Sequence, residues 1–340
     1  MLKLVGDVCF TDNHFDVGFG VGSVIKAGFN PFARIEKKGC DLWIGNFESV
    51  VSNATIYSDY HRECFRIDPK YLEQCAFFDY FGVANNHAME HGPDAYDQMC
   101  SFLGSMSKGV FGSNNNRSVK FTHQGKRVSI TGFSLRDEEG AYKPSYWQYP
   151  ECSELLDECQ NIDADYKIAY IHWGVEFINH PSVEQVRLAH WLIDVGYDLV
   201  IGMHPHILQG FEVYKGKHIF YSLGNFVFNM AYEPTKYSAI VNVDVQTGEV
   251  SYNYVKIGPD YAPALIMAKD VPFEYSFDHL NTLVYKFQNT ERYIQEASNG
   301  LKNYRKSHHK AFIRNICRYD FRILKSIVFD YIKRRFRNGN

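Results

Sequence analysis

The stretch Ile201 to Phe228, IGMHPHILQGFEVYKGKHIFYSLGNFVF, is the part of the chain around which the rest is organised. It opens on a short apolar run ending at Met203, which reads as a buried strand. His204 and His206 follow, with Pro205 between them. Successive residues of an extended segment face opposite ways. A proline with fixed φ in a turn instead lets both imidazoles address one centre. Imidazole is the commonest side-chain ligand for a metal, so this turn is a candidate metal site. For an isolated His-x-His, two surface histidines in a loop explain the pattern better. The metal reading therefore depends on further ligands elsewhere in the chain.

Those ligands stand at the ends of other predicted strands. Lys3 to Phe10 reads as a first strand with Gly6 and Asp7 near its end. Asp41 to Glu48, DLWIGNFE, is a second that stops at an acid. Phe77 to Ala84 runs into Asn85-Asn86-His87, Tyr166 to Trp173 closes at His172, and Asp198 to Met203 feeds the His-Pro-His turn. In layered α/β folds, ligands collect beyond the carboxyl ends of strands. Five such ends carrying carboxylate, amide or imidazole groups, and no cysteine, describe one oxygen- and nitrogen-lined metal centre.

The intervening segments fill in the fold class. Helical material over Val21 to Lys38 is broken at Asn30-Pro31. A strand is expected over Arg62 to Asp68, a short helix over Pro69 to Cys75 and a longer one over Pro93 to Met106. Further strands are expected at Val110 to Gly112 and Arg127 to Phe133. Ser182 with Gln185 forms a capping-box signature for a helix that stops at Gly196. Tyr237 to Val245 and Glu249 to Ile257 flank Gln246-Thr247-Gly248 as a hairpin. Alternating strands and helices early, with strand pairs later, imply a mixed α/β protein.

The 340 residues, 45% of them hydrophobic, suffice for one large domain or one domain plus an appendage. Eight cysteines are scattered without C-x-x-C pairs, so reduced buried thiols are expected. The N-terminus reads as a strand rather than an export signal, and a cytoplasmic protein is expected. Leu301 to Asn340 holds twelve Lys plus Arg against two Asp, a net of +10, which leaves −13 on the preceding 300 residues. A basic tail on an acidic body points to a partner for the tail.

With these residues in hand, the chain resembles the capsule-synthesis protein CapA family, also called the poly-γ-glutamate biosynthesis family. The core is similar to the calcineurin-like metallophosphoesterases. The matching pieces are Gly6-Asp7-Val8, Asn46-Phe47-Glu48, ANNHAMEHG at 84–92, HWGVEF at 172–177 and the run from Leu192 to Phe228. The resemblance implies a four-layer α/β/β/α sandwich of the metallophosphoesterase type over residues 1–260, with a helical extension over 261–340. It implies one or two divalent metal ions (Mn, Zn, Fe or Mg) held by Asp7, Glu48 as bridge, Asn86, His172, His204 and His206. His87 is similar to a non-ligand histidine that protonates a leaving oxygen, with Glu90 orienting it. The first motif departs from the usual Asp-x-His, because Asp7-Val8-Cys9 stands there. Asp12-Asn13-His14 repeats the missing spacing beyond the strand end, where a loop role is expected.

The function implied is metal-assisted hydrolysis of a phosphoester or amide bond in capsule or exopolymer metabolism. The alternative is a non-catalytic accessory subunit of a polymer synthesis or export complex with a structural metal site. An anionic polymer or phosphoester would be the substrate. Arg66 suits an anionic substrate group or an ion pair, Glu176 a pocket wall or a solvated face, and Asn225 a loop reaching the site or a turn. From Ala311 to Arg337, apolar residues at helical spacing alternate with cations. Such a helix lies on anionic membranes, here the inner membrane surface, contacts a polymer-synthesis complex, or docks on the body, which is preferred. An acidic body without a recognition motif argues against nucleic acid.

Overall fold

Alternation of side chains along the central strands decides how the layers stack. In Tyr166–His172, Ile168 and Tyr170 enter a core shared with Leu2, Leu4, Ile44, Ile201 and Val241. Ala169 and Ile171 face the other way, into a cluster with Leu155 and Leu192 of the helices Cys152–Asn161 and Val183–Val195. On the opposite side, Val5 and Phe47 pack with Ile25 and with Tyr96, Met99 and Leu103, from the helices Val21–Lys26 and Pro93–Met106. Period-two strands buried on both faces need a layer on each. The result is the expected four-layer α/β/β/α sandwich.

The computed structural model describes residues 1–137, 142–285 and 289–337, with side chains of the last helix given through Phe329. One sheet runs in the order Pro263–Ile266, Val250–Ile257, Tyr237–Val243, Leu2–Val8, Leu42–Phe47, Tyr80–Gly82, Gly109–Phe111, and Asn225–Val227 joins Leu2–Val8. The other runs Phe211–Tyr214, Lys217–Phe220, Leu199–Met203, Tyr166–His172, Lys126–Ser134, Ser118–His123. Leu2–Val8, Leu42–Phe47 and Tyr80–Gly82 are parallel, as are Lys126–Ser134, Tyr166–His172 and Leu199–Met203. Parallel runs gather their carboxyl ends at one edge, which is where the candidate ligands stand. A Cβ on Gly6 would lie 1.9 Å from the Gly224 carbonyl oxygen, so glycine there lets Asn225–Val227 approach the strand carrying Asp7.

Several expectations change in detail. The sandwich does not end at residue 260: Pro263–Ile266 pairs with Val250–Ile257, and Val271, Phe277 and Leu280 belong to the core between the sheets. Apolar side chains past the drawn boundary fill the sheet-to-sheet space, so the boundary cuts through the domain. Arg62 to Asp68 holds only the two-residue strand Arg66–Ile67, preceded by a 3-10 turn over Tyr60–Glu63. Pro69 to Cys75 breaks into two 3-10 turns, Pro69–Tyr71 and Glu73–Phe77. The basic tail is divided between a long helix, Thr290–Asn315, and a final helix, Phe321–Arg337. Among the described residues no helix is long and apolar enough to cross a membrane.

Candidate metal centre

Each sheet brings half of a ligand set to the shared edge. From the first come Asp7, Glu48 and Asn86; from the second come His172, His204 and His206. Asp7, Glu48 and His206 form one triplet of converging ligand atoms, and Glu48, His172 and His204 form another. Glu48 belongs to both. In the second group His172 Nε2 lies 2.7 Å from Asn86 Oδ1, 3.0 Å from His204 Nδ1 and 3.7 Å from Glu48 Oε1. In the first, His206 lies 3.4 Å from Asp7 Oδ2 through Nδ1 and 3.8 Å from Glu48 Oε1 through Nε2.

Both histidines of the opening stretch have positive φ, 95° at His204 and 59° at His206, either side of Pro205. Such backbone costs roughly 1–3 kcal/mol per residue and persists only where its surroundings hold it. Here the His204 N–H donates to Asp7 Oδ2 at 3.2 Å, and the Phe177 N–H donates to the Pro205 carbonyl at 2.9 Å. The turn aims both rings inward because of these two anchors. Asn46 joins the shells, its amide 2.8 Å from Asp7 Oδ1 and 3.2 Å from His172 Nδ1.

The electrostatics suit a cation. Glu48 is fully buried and neither carboxylate oxygen has a hydrogen-bond partner among the described residues. Burial, with the charge of Asp7, pushes its carboxyl well above the ordinary range. Burial drives His172 down to about 3, although Asp7 pulls the other way, and drives His204 well below its usual value. For Asp7, burial pushes upward, but His206, His172 and Asn46 together hold it below the ordinary carboxylate value. Neutral imidazoles beside an unpartnered buried carboxyl are an unfavourable arrangement by themselves and a favourable one around a divalent cation. Ligand bonds of about 2.0–2.2 Å would set neighbouring donors about 3.0–3.5 Å apart, close to the separations present. Imidazole, carboxylate and amide donors without thiolate suit Mn, Zn or Fe, or Mg on the carboxylate-rich side.

His87 and Glu90 stand beside this centre on the turn that follows Asn86. His87 Nδ1 is 2.7 Å from Glu90 Oε2, and its ring stacks on Phe65 with centroids 4.0 Å apart. Burial alone would raise Glu90, but His14 and His87 outweigh it and hold the carboxyl at about 2. An ionised Glu90 accepts, so His87 Nδ1 carries the hydrogen. Asn85 holds the turn, donating to the Phe47 carbonyl at 2.8 Å and accepting from the His87 N–H at 3.2 Å. A pocket of about 350 Å³ opens over His87 and His206, with Tyr57, Phe228 and Tyr304 among its walls.

Comparison with known proteins gives this geometry a family. The model of the bacterial capsule synthesis protein family PGA_cap matches residues 1–230. The chain belongs to that family. It is 31% identical over 220 residues to the PGA biosynthesis protein CapA of Bacillus subtilis, covering 60% of this chain and 57% of that protein. It is 33% identical over 180 residues to the capsule biosynthesis protein CapA of Bacillus anthracis, covering 49% and 44%. The chain thus spans about half the length of these curated relatives. Among solved structures, a Mycoplasma pneumoniae phosphatase aligns at 14% identity with a TM-score of 0.46, covering 76% of this chain and 95% of that one. A Candida albicans 5′-nucleotidase aligns at 15% with a TM-score of 0.43, covering 91% and 58%. Likeness at that level carries no argument about activity, and the fold stands on the two stacked sheets themselves.

The remaining sequence-stretch candidates of this PGA_cap chain fall on both sides of the pocket wall. Glu176 lines the pocket, with Oε1 3.7 Å from His206 Nε2. Asn225 reaches the centre as a partner of His206 Nδ1 at 2.9 Å. Arg66 is directed elsewhere: its guanidinium donates to the carbonyls of Arg62 and Ser52, both at 2.7 Å. Cys9, in the place of the missing histidine, turns its thiol to Thr11 Oγ1 at 3.1 Å, and burial pushes that thiol up. Asp12 takes the loop role, accepting from the N–H groups of Gly18 and Ser23, while His14 reaches Glu90 at 3.4 Å. Sequence reasoning missed Tyr304 and Phe65 as pocket walls. Nothing local marks Tyr304; Phe65 precedes the noted Arg66 and has φ of 51°.

Proposed function

We propose that this PGA_cap chain is a metal-dependent hydrolase acting on a phosphoester or amide bond in capsule or exopolymer biosynthesis. The observation that carries it is the pair of ligand triplets sharing the unpartnered Glu48, with the His87–Glu90 pair beside them. Asp7, Glu48 and His206 would hold one cation, and Glu48, His172, His204 and Asn86 the other. When bound, such a cation acts as a Lewis acid that polarises the scissile phosphoryl or carbonyl group and brings the pKa of water toward neutrality. His87 gives the proton from Nε2 to the oxygen or nitrogen that leaves, while the bond to the phosphorus or carbonyl carbon is replaced by one to the oxygen of water, whose released proton passes to solvent and restores His87. Glu90 holds Nδ1 and so stabilises the charged ring, and stacking on Phe65 fixes its plane. A positioned acid of this kind contributes about 10²- to 10⁴-fold in rate.

The test is metal analysis of the purified protein with hydrolysis assays on phosphomonoesters, phosphodiesters and γ-glutamyl amides. The expected result is bound divalent metal, metal-dependent turnover of one class, and a His87→Ala variant that keeps its metal but loses about 10²- to 10⁴-fold in kcat. A metal-loaded protein inert toward every class, with His87→Ala supporting capsule formation as well as the parent, would overturn the reading in favour of an accessory subunit.

A further inference from the structure

The basic tail, for which docking on the body is the preferred sequence expectation, seats one side of its helices on the body and leaves the other side bare. On the long helix, Tyr293, Ala297, Gly300 and His308 are buried against the body, and Tyr304 stacks on Phe177 at 4.0 Å. On the final helix, Ile323, Leu324 and Ile327 are half-buried. Docking is therefore present, but it consumes only the inward side. The outward side keeps large apolar groups in water: Ile313 is 67% exposed, Phe321 78% and Phe329 65%. At 100° per residue, Phe321, Arg322, Lys325, Val328 and Phe329 share one exposed stripe.

Among the described residues, the cations beside these apolar groups are not taken up by the acidic body: Lys306, Lys310, Arg314, Arg322 and Lys325 form no ion pair with a carboxylate. Between Leu301 and Phe329 the sequence holds a single acid, Asp320. A polyanion alone would recruit the cations and leave Phe321 and Phe329 in water. A purely apolar partner would bury the cations unpaired, at high cost. A surface that accepts both has an anionic headgroup layer over hydrocarbon.

We propose that the outward face of the two C-terminal helices is a docking surface for an anionic lipid bilayer, with Phe321, Val328 and Phe329 entering the headgroup boundary and Arg314, Arg322 and Lys325 meeting the lipid phosphates. Tyr304 on the long helix also walls the pocket beside the metal centre. Docking through these helices therefore ties the helix that walls that pocket to the lipid surface. The inference does not depend on the hydrolase reading.

The experiment is co-sedimentation of the full chain with vesicles of phosphatidylcholine alone or mixed with phosphatidylglycerol, in low and high salt. The expected result is at least about tenfold stronger partition onto the anionic vesicles, weakened by salt. Arg322→Glu/Lys325→Glu should abolish the preference. Phe321→Ser/Phe329→Ser should lower binding about tenfold at either salt concentration; both side chains are largely exposed, so circular dichroism and Tm should match the parent. Equal or absent partition onto the two vesicle types would overturn the proposal. So would soluble polyglutamate binding that Phe321→Ser/Phe329→Ser leaves intact while vesicle binding is also unchanged, which would make the face a polyanion site. Concentration-dependent dimers abolished by Phe321→Ser/Phe329→Ser, without vesicle binding, would assign it instead to a second copy of the chain.

Discussion

The amide of Asn225 decides which nitrogen of His206 can serve as a ligand. Its Nδ2 lies 3.4 Å from the Thr235 carbonyl, where only a donor fits, so Oδ1 is the atom that meets His206 Nδ1 at 2.9 Å. His206 Nδ1 then carries the hydrogen, and Nε2 keeps its lone pair toward Glu48. Partners of this kind fix ring orientation and typically matter about 10- to 100-fold in metal affinity. Asn225→Ala should weaken the affinity by that factor with the fold intact, as read by chelator competition and circular dichroism. Asn225→Asp, which still accepts from Nδ1, should restore most of it. Equal affinity in all three proteins would remove Asn225 from the centre. The same residue shows why its role was not legible: it enters through the parallel pairing of Asn225–Val227 with Leu2–Val8, register Asp7 with Asn225, far apart in sequence.

At the scale of elements, the ligands that could be read were those whose strand announces its own end. Leu42–Phe47 is buried throughout and stops at Glu48; Tyr166–His172 stops on its ligand. Burial of a strand on both faces makes a terminal acid or imidazole conspicuous, whatever the distant contacts. The packing of the long helix against the site had no such local mark. Gly300 touches Phe177 closely enough that a Cβ would sit 2.4 Å from the Phe177 carbonyl oxygen, and Phe177 itself has φ of 62°. On an exposed helix, Gly→Ala would stabilise by up to about 1 kcal/mol. Here forced displacement of packed backbone should reverse the sign, costing about 1–3 kcal/mol. Gly300→Ala is therefore expected to lower the denaturant midpoint and, by shifting Tyr304, to raise KM more than it lowers kcat. A midpoint equal to or above the parent's would show that the helix does not seat on Phe177.

For the whole molecule, the centre joins the two sheets at their open edge, because the Glu48 of one is shared between ligand groups completed by histidines of the other. Without a cation, three buried groups make stability depend on pH in opposing directions. The unfolded chain takes up a proton near 6.5 that folded His172, at about 3, refuses, so stability falls as pH drops from 6.5 toward 3. Glu90, held at about 2, adds to that loss below its ordinary 4.5. Folded Glu48 keeps a proton that the unfolded chain gives up above 4.5, so its contribution is lost as pH rises from there. A divalent cation removes the Glu48 penalty and competes with protons for every ligand, so its stabilisation should grow with pH. At free metal 100 times Kd that stabilisation is about 2.7 kcal/mol. Thermal melts with and without chelator should differ by several degrees near pH 7.5 and much less near pH 5.5. Glu48→Gln should melt higher than the parent in chelator, since an amide there has no proton to take up on folding, yet lose most of the metal-dependent gain. Melting temperatures unaffected by chelator at both pH values, or a full metal-dependent rise in Glu48→Gln, would mean that the shared carboxylate does not hold the sheets together through a cation.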